Sequence, residues 1–250
     1  MGGLVSAPRA PQDDPMTHPS PKAAASELEL AERGESKETL IRAEELQLLS
    51  APNGRVAEQF RSLRNSIQSM NPDGAPRNLV MTSASTGEGK TTAALNLALS
   101  FAELPHLTVL VIDGNLHRPA VEEHLGLPRR QGLSELLLGT LDVDRAVRET
   151  SVKRLFVLGA GSSSGNPAQY LGTDRMGTLL QMLKRRFDYV IVDAPSTLDY
   201  NDASQLAAMA DGTLLVVRLG QTPKHLVEQA ATLLEGLGAN LLGTAALGAE

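Results

Sequence analysis

Two glycines, a lysine and two threonines stand within six residues, and their order is that of a phosphate-binding loop. The stretch runs Ser83-Ala-Ser-Thr86-Gly-Glu-Gly-Lys90-Thr-Thr92. Gly87 and Gly89 let the backbone wrap closely around an anion, since no Cβ blocks the approach or penalises positive φ. The amides around Glu88, Gly89 and Lys90 would then face inward at the start of a helix, where the helix dipole also favours negative charge. Lys90 supplies a mobile cation for β- and γ-phosphates, and the Thr91 hydroxyl can ligate Mg²⁺. Thr86, Gly87, Glu88, Gly89, Lys90, Thr91 and Thr92 are therefore the expected nucleotide contacts, with ATP and Mg²⁺ the expected ligands. The eight-residue pattern normally opens on glycine; here it opens on Ala84.

Two acids complete the set. Asp113 and Asp193 each follow a run of buried-type aliphatic residues, so each falls at the carboxyl end of a strand, where ligands bind in open α/β sheets. Asp193 fits the role of an acid anchoring Mg²⁺. Asp113 fits a second Mg²⁺ contact or the base that receives a hydroxyl proton. Either acid could alternatively cap the helix after its turn.

The elements that would position these residues follow from periodicity. Asn78–Thr82, Leu107–Ile112, Leu155–Leu158, Tyr189–Val192, Thr213–Leu219 and Leu241–Ala246 read as strands. Ala93–Leu104, Gly132–Leu138, Leu141–Thr150 and Thr173–Arg186 read as helices. Their alternation predicts a doubly wound, mostly parallel α/β sheet. Ahead of it, Val56, Phe60, Leu63, Ile67 and Met70 form a stripe at spacings of four and three, predicting a helix from Val56 to Met70. Glu58, Arg61 and Arg64 fall on its other side. Residues 1–21 hold five prolines and little to bury, so they read as disordered, and Glu38–Leu49 could form a short helix. The expected division is a tail over 1–54 and one ATP-binding domain over 55–250.

Composition excludes several classes. At 42% hydrophobic and 21% charged, the 250 residues suit one α/β domain and a tail. The chain has no cysteine, which removes thiolate and disulfide chemistry. A net charge of −6 and 3% aromatics argue against nucleic-acid binding. No apolar run is long enough for a membrane span, so no direct membrane insertion is expected and the chain reads as cytoplasmic.

Together these residues resemble the bacterial tyrosine kinases of exopolysaccharide and capsule biosynthesis, the CpsD/CapB type and the kinase half of Wzc-like proteins. The resemblance covers Val56 to the C-terminus. It rests on Ala84–Thr91 as Walker A, VLVIDGNLHRP (109–119) as Walker A′, VIVDAPS (190–196) as Walker B, and Glu58, Arg61 and Arg64 as the ExxRxxR helix. Gly132-Leu-Ser134 and Asn166-Pro167 resemble further landmarks. The resemblance implies a P-loop NTPase fold of the MinD/ParA-like subgroup and ATP-dependent protein-tyrosine (auto)kinase activity. It also implies ring-shaped homo-oligomers assembled through Glu58, Arg61 and Arg64, and a transmembrane polysaccharide co-polymerase that activates the kinase and recruits it to the inner face of the membrane.

Three departures keep other readings open. Asn115 stands where the family has a second aspartate, and amide nitrogen and oxygen cannot act as a base. His117 stands where the family usually has arginine, although Arg118 is present. The tyrosines are Tyr170, Tyr189 and Tyr200, with none in Gly243–Glu250, so autophosphorylation of a C-terminal tyrosine cluster is not expected. A MinD/ParA-type ATPase is the alternative, although its additional lysine would fall at Ser85. A catalytically weak ATP-binding assembly module is another.

Overall fold

The computed structural model describes residues 45–70, 77–162 and 167–248, and all statements below concern these. The proline-rich segment 1–21, most of the Glu38–Leu49 helix, the turn after Met70 and Asn166 lie outside them. In chain order the elements are α1 (Gln47–Ser50), α2 (Arg55–Met70), β1 (Asn78–Ser83), α3 (Lys90–Ala102), β2 (Val109–Asp113) and α4 (Val121–His124). There follow α5 (Leu133–Leu138), α6 (Val143–Ala146), β3 (Arg148–Glu149), β4 (Leu155–Leu158) and a 3₁₀ turn (Pro167–Tyr170). The chain then forms α7 (Asp174–Arg186), β5 (Tyr189–Asp193), α8 (Asp202–Met209), β6 (Gly212–Arg218), α9 (Lys224–Gly236) and β7 (Leu241–Leu247).

The strands make one seven-stranded sheet in the order β3-β4-β2-β5-β1-β6-β7, parallel throughout except for the β3–β4 pair. The doubly wound architecture read from the sequence is therefore observed. Successive strand residues feed opposite faces, as the two-residue period requires. Leu79, Met81, Val109, Val111, Tyr189 and Ile191 pack with α2 and α3. Val80, Leu110, Ile112, Val190 and Val192 pack with α5, α7 and α8. Strands covered on both faces have no polar alternation, which is why they were legible as continuous aliphatic runs.

Two local readings are corrected. Leu141–Thr150 is not a helix: one turn, α6, ends where Val147 becomes extended (φ −79°, ψ 131°), and Arg148–Glu149 then pairs antiparallel with β4. A β-branched residue at the exit and an unpaired sheet edge outweigh a weak helical pattern. The boundary expected at 54/55 also falls inside packed structure. Leu46 is fully buried and Leu48 nearly so, both within the α2/α3 cluster.

Candidate active site

The site is assembled at the carboxyl ends of β1, β2 and β5. β1 delivers the loop Ala84–Gly89, and α3 begins at Lys90. Gly87 and Gly89 both adopt φ of +88°, a left-handed conformation that strains any residue with a Cβ. Gly89 has a second constraint: a Cβ there would lie 2.8 Å from the Leu247 side chain. The turn thus aims the first amides of α3 at the space above the sheet.

Lys90 is buried, at 7% exposure. Desolvation lowers its pKa from the ordinary lysine value, while Asp193, Glu88 and Asp199 counter that by favouring the ammonium. The Thr91 hydroxyl donates to Asp193 Oδ2 at 2.5 Å. Asp193 Oδ1 is buried and has no hydrogen-bond partner. Asp113 and Asp193 are register partners on adjacent strands β2 and β5. Burial pushes Asp193 up to about 6, partly offset by Thr91 and Lys90. Asp113 is pushed up to about 8, first by burial and then by the charge of Asp193. It is also pulled toward ionisation by three amides: Ala120 and Val121 donate to Oδ2 at 2.9 and 3.0 Å, and Asn115 to Oδ1 at 3.2 Å. Asp113 therefore caps the start of α4 from a fully buried position beside Asp193.

A cavity of about 710 Å³ opens beside this group, lined by Lys90, Thr91, Asn115, Arg118, Tyr200, Arg218 and Leu247 among others. That size suits a nucleotide. The donor set suits Mg²⁺ as well: a threonine hydroxyl and a carboxylate with one unbonded buried oxygen offer few protein ligands, and Mg²⁺ usually takes one or two carboxylates beside waters and phosphates. Among the described residues no group of three or more His, Cys, Asp and Glu could enclose a metal alone.

Comparison with known proteins identifies this arrangement. The AAA domain family model matches residues 77–237, well over half of the chain. Tyrosine-protein kinase YwqD of Bacillus subtilis (strain 168) is 35% identical over 195 residues, covering 78% of this chain and 82% of YwqD. The putative tyrosine-protein kinase CapB of Staphylococcus aureus is 29% identical over 77% of this chain and 84% of its own. The chain belongs to the bacterial tyrosine kinase family. The kinase domain of the Escherichia coli tyrosine kinase ETK superposes with a TM-score of 0.77 at 29% identity, covering 81% of this chain and 79% of that one. The septum-site-determining protein MinD of Pyrococcus horikoshii OT3 reaches a TM-score of 0.59 at 22% identity, which shows a common P-loop fold alone. A nucleotide-binding enzyme of kinase type is thereby established.

The family's helix motif sits differently from the sequence reading. Arg64 is not on a solvated face: it is 8% exposed, and its guanidinium donates to the Ser100 carbonyl at 2.5 Å. The inward stripe is Ala57, Phe60, Arg64 and Ile67, while Val56 and Met70 are exposed, so the buried face is rotated from the one expected. A long guanidinium stem lies along apolar neighbours while its head finds a carbonyl, which hydrophobicity counting overlooks. Arg61 holds Glu103 through two bonds at 2.8 and 2.5 Å and also pairs with Glu58. These contacts clamp α2 onto the C-terminal end of α3, where cations are favoured by the helix dipole.

Two residues at the site, Asp199 and Glu45, gave no sequence signal because their partners are distant in the chain. Asp199 accepts from the Thr86 amide at 3.1 Å and its hydroxyl at 2.9 Å, and from Ser196 at 2.5 Å. These bonds, led by Ser196, hold its carboxyl below the usual range. Glu45 accepts from the Thr92 hydroxyl at 3.0 Å and lies 3.6 Å from His124, while Asn96 donates to the Glu45 carbonyl. Glu88 is buried, with one oxygen bonded to the Thr222 hydroxyl at 2.8 Å and the other without a partner. Glu88 thus ties the loop to the β6–α9 connection. Asn115 borders the cavity and accepts from the Arg118 amide at 3.2 Å.

Proposed function

We propose that the protein is an ATP-dependent protein-tyrosine kinase, and that Lys90, Thr91, Asp113 and Asp193 carry the transfer. The observation that carries this reading is the pairing of the Thr91 hydroxyl with Asp193 beside a buried carboxylate oxygen that has no partner. Thr91 and Asp193 would hold Mg²⁺, with Asp113 near enough in register to act on the same phosphate end. Bound there, Mg²⁺ would supply neutralisation of the phosphate charge. Lys90, brought to the loop in a low-dielectric setting, adds a positive charge where negative charge develops. Thr86, Gly87, Glu88, Gly89 and Thr92 shape the loop, and the amides around Glu88, Gly89 and Lys90 cradle the phosphates. Asp113, when ionised, takes the proton from the acceptor hydroxyl; burial pushes its carboxyl up to about 8, so this role is favoured by alkaline pH.

The biological setting is regulation of exopolysaccharide or capsule synthesis and export at the inner face of the membrane. A transmembrane co-polymerase activates the kinase, and self-assembly into a ring uses Glu58, Arg61 and Arg64. No described helix is long and apolar enough to cross a membrane, in keeping with a separate membrane partner. Since Arg61 and Arg64 also bond within their own chain, the ring contact would use the outward groups of Glu58 and Arg61 and depend on Arg64 to hold the helix. A second reading is favoured by Asn115: without a second acid in that segment, the same site would run as an ATP-dependent assembly module with weak transfer.

The test is incubation of the purified chain with Mg²⁺ and γ-labelled ATP beside Lys90→Met. Label on protein tyrosine that is lost in the variant is the expected result. Free phosphate without protein label would select the second reading, and absence of nucleotide binding would overturn both.

A further inference from the structure

Three tyrosines occur in the sequence, and the fold gives them unequal access to the site. Tyr189 opens β5 at the end of the sheet remote from the loop, is 5% exposed, and stacks on Phe101 with ring centroids 3.9 Å apart. Tyr170 is partly buried against the apolar cluster under α5 and α7. Tyr200 lies in the β5–α8 connection and borders the nucleotide cavity together with Lys90, Thr91 and Arg118.

The strand order divides that cavity. Arg218 and Leu247 line it from β6 and β7, on one side of β1; Asn115 and Pro195 line it from just beyond β2 and β5, on the other, with Asp113 and Asp193 buried at those strand ends. The terminal phosphate of a bound triphosphate belongs beside Lys90, Thr91 and the two acids, so the base is left to the β6–β7 side. Tyr200 stands on the phosphate side. Its ring lies on the His117 ring, centroids 4.0 Å apart and 19° between planes, and His117 is held by Asp202 at 2.6 Å. An aromatic ring fixed by stacking on an anchored partner is a preorganised acceptor, with little rotamer freedom left to lose. Arg118, on the same wall, offers a guanidinium to a phosphorylated product.

We propose that Tyr200 is the chain's own phosphate acceptor, modified within the same molecule. The inference rests on the phosphotransfer reading above. Tyr200 Oη forms a bond to the γ-phosphorus as the bond from that phosphorus to the β,γ-bridging oxygen breaks. The nucleoside diphosphate departs with the bonding electrons, and the phenolic proton is released to solvent in the open cavity.

The experiment uses the full chain with Mg²⁺ and γ-labelled ATP, with phosphosite mapping by mass spectrometry and ADP measured in parallel. Label is expected on Tyr200, at a first-order rate unchanged by protein dilution. Tyr200→Phe, which keeps the ring stack, should lose at least about tenfold of the label, whereas Tyr170→Phe should keep it. Label mapping elsewhere, undiminished label in Tyr200→Phe, or a rate proportional to protein concentration would each overturn the assignment. ADP without phosphotyrosine would overturn it while sparing the nucleotide site. Absence of both ADP formation and nucleotide binding would remove the parent reading with it.

Discussion

Replacing Asp193 by Asn should stabilise the protein without nucleotide and disable it with nucleotide. Asp193 is fully buried beside Asp113, and burial raises it from 3.8 to about 6. A folded-state value above the unfolded one means that ionisation opposes folding. The penalty is absent below about pH 4, grows between there and pH 6, and is constant above. At about 1.36 kcal/mol per pH unit it reaches roughly 3 kcal/mol at pH 8. Asn keeps an acceptor for the Thr91 hydroxyl and removes that charge. Lys90, however, loses the first of the charges that favour its ammonium form. The net gain should be about 1–2 kcal/mol, or roughly 2–8 °C in melting temperature for a chain of this size.

Calorimetric melts in EDTA at pH 8 and pH 5 read the effect. The variant should melt higher at pH 8, with a clearly smaller advantage at pH 5. Adding Mg²⁺ and ATP at about a hundred times the dissociation constant should stabilise the parent by about 2.7 kcal/mol and the variant far less, reversing their order. A variant that melts lower than the parent at pH 8 without ligand, or gains equally at both pH values, would refute the buried-charge argument.

The other substitutions probe separate contacts. Lys90→Met should weaken ATP binding by at least about tenfold and abolish label transfer, as read by equilibrium dialysis and autoradiography. Arg64→Ala should cost about 2 kcal/mol in denaturant unfolding, because it strands the Ser100 carbonyl and opens a gap between α2 and α3. Arg61→Ala, more exposed, should cost about 1 kcal/mol or less. If the pair Arg61→Ala, Arg64→Ala sediments as the parent does, the ring contact is wrong. Asn115→Asp should raise Mg²⁺-dependent tyrosine labelling by about tenfold; no gain would show that the site was not limited by a missing acid.

What the sequence disclosed was whatever depends on neighbours in the chain. The loop glycines and the strands β1, β2, β4 and β5 were legible because each is specified by local backbone freedom or by a run of aliphatic residues. The α6–β3 region was misread because its outcome depends on the free edge of β4, more than one turn away. Arg64 was misplaced because an arginine can serve as an inward residue once a carbonyl such as that of Ser100 is in reach, and only the fold brings α3 there. The contacts Glu45–Thr92, Asp199–Thr86 and Thr222–Glu88 join residues from different elements, so no spacing rule could reveal them.

Asp113 carries the argument furthest. The sequence allowed it two roles, helix cap or site acid, set out as alternatives. In the structure the amides of Ala120 and Val121 reach its carboxylate from α4, and Asp193 lies beside it from β5. The roles are therefore coupled: any change in the protonation of Asp113 alters the cap of α4, which in turn carries His124 toward Glu45. A proton on Asp113 weakens its hold on those amides, so the protonation of Asp113 and the position of α4 cannot be independent.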